Sequence, residues 1–181
     1  MIYNDVLIAG YGGQGVLLAG KLLAWAGMAQ GLNVTWFPSY GAEIRGGTAN
    51  CTVIMSDEEI GSPVVDSPGA LIAMNQASAD KFTGRIKKGG VILLNSSLAK
   101  VDVIRAGVRV IKIPANEIAE ELGDVKVVNM VMLGAYIKAV ATVSRKNVVK
   151  AVEAALPERR RSLLPMNIEA LERGGSMVGD D

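Results

Sequence analysis

Two short stretches hold residue types and spacings that could do chemistry. The first, Gly10-Tyr11-Gly12-Gly13-Gln14-Gly15, has the G-x-G-x-x-G spacing between an apolar run, Asp5 to Gly10, and a stretch of helical apolar spacing, Val16 to Ala29. Between a strand and a helix, such glycines permit a tight turn and let a ligand approach the backbone, and the free N–H groups at the helix start favour an anion. A phosphate cradle is one reading, and glycines that only allow close helix–strand packing are the other. The second stretch is Ser39-Tyr40-Gly41-Ala42-Glu43-Ile44-Arg45-Gly46-Gly47-Thr48. Arg45 beside two glycines offers a forked cation next to exposed backbone, which suits phosphate or carboxylate, and Glu43 could hold that arginine in place. The bland alternative is a solvated surface ion pair.

Several chemistries are poorly supplied. The chain has no histidine, so the commonest general base near neutral pH and the commonest metal ligand are missing. Its one cysteine, Cys51, cannot form an internal disulfide, and a typical iron–sulfur cluster needs four thiolates, so no metal site and no catalytic residue is assigned. A nicotinamide-binding unit should carry an acid about 20 positions beyond the glycines to grip a ribose. That position reads Phe37-Pro38-Ser39-Tyr40, with no acid. Nineteen basic and eighteen acidic residues nearly cancel, leaving no field to attract nucleic acid or an anionic membrane. The start lacks a positively charged segment and its apolar run stops at Gly10, so a cytoplasmic location is expected.

The elements that must position these stretches follow from periodicity. At 181 residues one sizeable core is expected. With half the residues hydrophobic and only 4% aromatic, that core is aliphatic, as in a parallel sheet covered by helices. Strands are expected at Asp5 to Gly10, Asn33 to Phe37, Cys51 to Met55, Ala70 to Met74, Val91 to Leu94 and Val108 to Ile113. Helices are expected at Val16 to Ala29, near Ala77 to Lys87, and at Asn116 to Leu122, Val128 to Val143 and Arg145 to Leu156, with two short pieces broken by Pro157 and Pro165. The fold class is therefore α/β: a single Rossmann-like domain over residues 1–173, a mostly parallel sheet with helices on both faces, a helical C-terminal region, and a flexible tail from Gly174 to Asp181. The first strand, the helix from Val16 and the strand from Asn33 should close a βαβ unit, placing both glycine loops on the carboxyl edge of the sheet. The greasy stretch Val127 to Val143 is interrupted by Asn129, Gly134, Lys138 and Thr142, so it reads as a core helix buried on several sides, not as a membrane span. Arg159-Arg160-Arg161 could dock an acidic surface or a phosphate, although such a run is more often a solvated face.

The paired motifs resemble the gamma subunits of 2-oxoacid:ferredoxin oxidoreductases. The similarity rests on Gly10 to Val16, on Ser39 to Thr48 followed by the Cys51-Thr-Val strand, on Asn129 opening the apolar helix, and on Leu163 to Leu171. The resemblance implies a complex that decarboxylates a 2-oxoacid on thiamine diphosphate, passes electrons through 4Fe-4S clusters to ferredoxin, and delivers the acyl group to coenzyme A as co-substrate. Thiamine diphosphate and magnesium would belong mainly to partner alpha and beta subunits and the clusters to beta and delta chains, a delta subunit being possible and not required, and ferredoxin would be met only indirectly. This chain would hold none of these cofactors alone. It would pack against the alpha subunit and help form the coenzyme A site with the two glycine loops and Asn129. Its short form looks most like 2-oxoglutarate enzymes, with pyruvate, branched-chain and aryl-pyruvate substrates open. A stand-alone nicotinamide or flavin oxidoreductase and a scaffold that binds no ligand are the competing readings.

Overall fold

Alternation along the first strand decides how the molecule is layered. In β1 (Tyr3–Tyr11), Val6 and Ile8 point into one hydrophobic core and Leu7 and Ala9 into another. A strand apolar on both faces needs cover on both sides, and it takes a central place in the sheet. The computed structural model describes residues 1–39, 48–101 and 106–179.

The other strands are β2 (Asn33–Ser39), β3 (Thr48–Ser56), β4 (Ala70–Ala73), β5 (Val91–Asn95) and β6 (Arg109–Ile113), in the spatial order β2-β3-β1-β4-β5-β6. From β1 to β6 the neighbours pair in parallel, whereas β3 runs antiparallel to both β1 and β2. The sheet is thus mostly parallel, with one reversed strand. The expected βαβ unit is altered by it: β2 runs in the direction of β1, but β3 lies between them. Pro38 fits within β2 because this is an edge strand, where its missing N–H removes no ladder bond to a further neighbour.

Helices α1 (Val16–Ala29), α3 (Ala115–Leu122), α4 (Val128–Val140), α5 (Arg145–Ala155) and α6 (Leu164–Ser176) contribute to the core on the Val6 and Ile8 face, and α2 (Gln76–Phe82) contributes to the core on the Leu7 and Ala9 face. Every residue of α4 from Val128 to Tyr136 is buried, between the sheet on one side and α6 on the other. Its apolar circumference is therefore satisfied inside the domain. The helix stops earlier than expected, at Ala141, which takes a left-handed φ of 54°.

The close crossing of α4 and α6 corrects the expected C-terminus. A Cβ on Gly134 would run into the carbonyl of Leu171, and one on Gly174 into that of Val131. Pro165 does not break the chain there. It sits in the first turn of α6, where a missing N–H costs no helical bond. The helix then runs on to Ser176 and Val178 is buried, so the packed chain extends past the boundary expected at residue 173. Among the described residues no helix is long and apolar enough to cross a membrane.

Candidate anion site at the glycine turn

The connections from β1 and from β4 leave the sheet in opposite directions. The first passes through α1 to β2 at one edge, and the second passes through α2 to β5 on the other side. The carboxyl ends of β1 and β4 therefore flank a switch point, the place where open α/β sheets leave a crevice for ligands. The glycine turn lies there.

The turn is closed by the Gln14 N–H donating to the Tyr11 carbonyl at 3.1 Å. Gly13 and Gly15 have φ of 99° and 71°, conformations that side chains resist. Gly15 caps α1, no side chain caps that end, and no acid stands in the first turn. The first intrahelical bond runs from the Ala19 N–H to the Gly15 carbonyl at 2.9 Å, so the amides of Val16, Leu17 and Leu18 precede the ladder. Beside them is an open groove of about 270 Å³, lined in part by Tyr11, Gly12, Gly13, Leu17 and Ala49. Unsatisfied amides and the positive end of a 14-residue helix meet at this groove, an arrangement suited to an anion.

Gln14 turns inward. Its Oε1 accepts from the Tyr11 N–H at 2.7 Å and from Asn75 Nδ2 at 2.8 Å, and its Nε2 donates to the Met74 carbonyl at 3.4 Å. Asn95 Nδ2 donates to the same carbonyl at 3.0 Å and to Asn116 Oδ1 at 2.9 Å. Gly10 is needed for this fit: a Cβ there would lie 2.7 Å from Gln14 Oε1 and 2.9 Å from Met74 Cβ. Asn129, at the start of α4, donates from Nδ2 to the Gly15 carbonyl at 3.2 Å.

The structure thus brings Gly10, Gly12, Gly13, Gln14, Gly15 and Asn129 together, with Gly12 and Gly13 exposed and Gln14 and Asn129 turned to structural partners. Ser39 ends β2 on the same edge, opposite Asn50, which in turn faces Ala9, so it stands about 10 Å from β1 by two strand spacings. Thr48 pairs with Tyr11. The chain therefore leaves at Ser39 and returns at Thr48 on the carboxyl edge, as expected. Tyr40, Gly41, Glu43, Arg45, Gly46 and Gly47 lie outside the described residues.

Neither motif nor spacing points to Asn75, Asn95 and Asn116. A signal existed: the apolar runs ending Ala73-Met74-Asn75 and Leu93-Leu94-Asn95 each close on an asparagine. The described groups around the turn are neutral amides, and the nearby Glu117 carboxyl, held below its ordinary range by the Ser97 hydroxyl, is exposed. Cys51 is fully buried beneath α1 at Gly20, and burial pushes its thiol up to about 12. It is packing, not a nucleophile.

Comparison with known proteins agrees with this architecture. The family model for pyruvate ferredoxin/flavodoxin oxidoreductase matches residues 5–177. The ketoisovalerate oxidoreductase subunit VorA of Methanothermobacter thermautotrophicus is 39% identical over 97% of this chain, and the chain spans 36% of that relative's length. The keto/oxoacid ferredoxin oxidoreductase gamma subunit from Geobacter sulfurreducens superposes with a TM-score of 0.81 at 31% identity, over 96% of this chain and 97% of its own. The 2-oxoglutarate:ferredoxin oxidoreductase from Magnetococcus marinus, solved with 2-oxoglutarate, coenzyme A and succinyl-CoA bound, superposes with a TM-score of 0.90 at 26% identity, over 98% of this chain and 31% of that one. The α/β domain built around this glycine turn is that of the gamma-type subunits, and the chain belongs to the pyruvate ferredoxin/flavodoxin oxidoreductase family.

Proposed function

We propose that this chain is the gamma subunit of a thiamine-diphosphate and iron–sulfur dependent 2-oxoacid:ferredoxin oxidoreductase, and that its glycine turn forms part of the coenzyme A site. The observation that carries the reading is the uncapped start of α1 at the switch point, where the amides of Val16, Leu17 and Leu18 open beside the groove. A diphosphate is the part of coenzyme A that such an end holds. The Magnetococcus relative, which was solved with coenzyme A, supports the choice of ligand. Ser39 and Thr48 lie on this same edge and bound the sequence 40–47, and Arg45 within it is the cation we assign to the ligand's phosphates.

The chain's share of the reaction is to bind and orient the acyl acceptor. Thiamine diphosphate with magnesium is assigned to the alpha and beta subunits and the 4Fe-4S clusters to beta and delta chains, with delta as an optional member and ferredoxin as the cytoplasmic electron acceptor. The VorA and Magnetococcus chains are about three times as long as the part this chain matches. The alpha partner would correspond to the portion those chains carry beyond it. The proposed substrate is 2-oxoglutarate, as in the Magnetococcus enzyme, and the VorA relative supplies ketoisovalerate as the second reading.

The test is reconstitution. The purified chain, mixed with 2-oxoglutarate, coenzyme A, thiamine diphosphate and a viologen dye, should leave the dye oxidised, and adding the partner subunits should give coenzyme A-dependent reduction. Steady dye reduction by the pure chain contradicts the subunit role. Running 2-oxoglutarate against ketoisovalerate in the complete complex decides the substrate.

A further inference from the structure

We infer that Asn75 is a positioning residue that sets the shape of the glycine turn through the side chain of Gln14, an inference whose functional consequence rests on the coenzyme A reading above. Asn75 is 3% exposed and follows β4 across the switch point from the turn. Its Oδ1 accepts from the Ser78 N–H at 2.9 Å as the cap of α2. Because that backbone group can only donate, it fixes which end of the Asn75 amide is oxygen and leaves Nδ2 facing Gln14. Nδ2 donates to Gln14 Oε1 at 2.8 Å, and the same oxygen accepts from the Tyr11 N–H at 2.7 Å.

Two donors thus settle the orientation of the Gln14 amide, and its remaining nitrogen meets the Met74 carbonyl. That carbonyl is itself held by Asn95, which is fully buried. The turn preceding the open amides of α1 is therefore templated by neutral side chains, Asn75 just past β4 and Asn95 at the end of β5, the first of them 61 positions from Gln14 in sequence. Neutrality has a consequence at this place. An aspartate at position 75 would cap α2 as well as asparagine does, but it could not donate, and it would set a carboxylate against Gln14 Oε1 next to the anion groove.

Asn75→Asp separates these roles, because it keeps the cap and removes the donor. In the isolated chain, amide hydrogen exchange at Tyr11 and Gln14 should become about tenfold faster and that at Ser78 should not, since the hydrogen bond to Gln14 is lost and the cap of α2 remains. Gln14→Glu keeps an acceptor for both donors, so exchange at Tyr11 should stay near wild type. In the complete complex, Asn75→Asp should raise the KM for coenzyme A at least fivefold at constant kcat for the 2-oxoacid half-reaction. Unchanged exchange in Asn75→Asp, or equal loss of protection in Gln14→Glu, overturns the positioning role. Faster exchange with an unchanged KM for coenzyme A leaves the templating of the turn standing and overturns the coenzyme A reading instead.

Discussion

The side-chain amide of Asn129 donates to the carbonyl of Gly15 at 3.2 Å and ties the first turn of α4 to the cap of α1 across 114 positions of sequence. The same carbonyl accepts the first bond of α1 from Ala19, so both of its lone pairs are used. Since α4 is buried through Tyr136, the glycine turn is anchored on the most deeply packed helix of the domain.

Asn129→Ala should therefore lower stability. Loss of a partly buried hydrogen bond costs about 1–2 kcal/mol, or about 3–6 °C in Tm for a domain of this size. Thermal unfolding followed by circular dichroism measures it, and an unchanged Tm would show that the tether carries no strain-bearing role.

Gly134 and Gly174 let α4 and α6 approach closely, and a methyl group on either meets backbone that cannot turn aside. Each single change to alanine should cost about 1–3 kcal/mol or more, with Tm falling by about 4–10 °C. Gly175→Ala is the control. Its Cβ would meet the Gly134 carbonyl at 3.6 Å, an ordinary contact, so Tm should hold.

Cys51 gives the pH dependence. Burial raises its thiol from 9.0 to about 12, so the native fold favours the neutral form. The stability from burying that thiol is complete below pH 9 and is lost as pH climbs toward 12. Native protein at pH 8 should resist Ellman's reagent, and the unfolded chain should release one equivalent, matching its single cysteine. Fast labelling of the native protein at pH 8 would place the thiol at the surface.

Much of this architecture is legible in the sequence where local periodicity decides. Val16–Ala29 is a helix with the expected ends, because its apolar spacing begins at one glycine cluster and stops before Gly31. The direction of β3 is not legible in this way. The apolar pattern of Cys51 to Met55 is the same for either direction, and only pairing with β1 and β2 reverses it. Pro165 and Gly174 mislead for a related reason: a breaker and a tail glycine in local terms become a first-turn proline and a helix contact once α4 lies beneath them. At the glycine turn, spacing and resemblance point to Gly10 to Gly15 and to Asn129, which the fold brings together. They do not point to Asn75, because an asparagine after a strand reads as a cap, and its second bond to Gln14 depends on the register of β4 beside β1.

Arg45 distinguishes ligand from scaffold on the second glycine loop. Lysine keeps the charge but loses the forked geometry. Arg45→Ala in an assembled complex should raise the KM for coenzyme A about ten- to hundredfold, the equivalent of a lost charge-assisted hydrogen bond, and leave the 2-oxoacid half-reaction intact. Failure to assemble would make Arg45 an interface residue.

The most direct measurement is made at Gly12. It is exposed on the groove and is not among the glycines with positive φ, so a side chain there enters the proposed ligand space without forcing a left-handed backbone. A complete complex carrying Gly12→Val should consume 2-oxoacid in the half-reaction at the wild-type rate, while its KM for coenzyme A rises at least tenfold. A wild-type KM for coenzyme A in that assembled variant would contradict the glycine turn as part of the coenzyme A site.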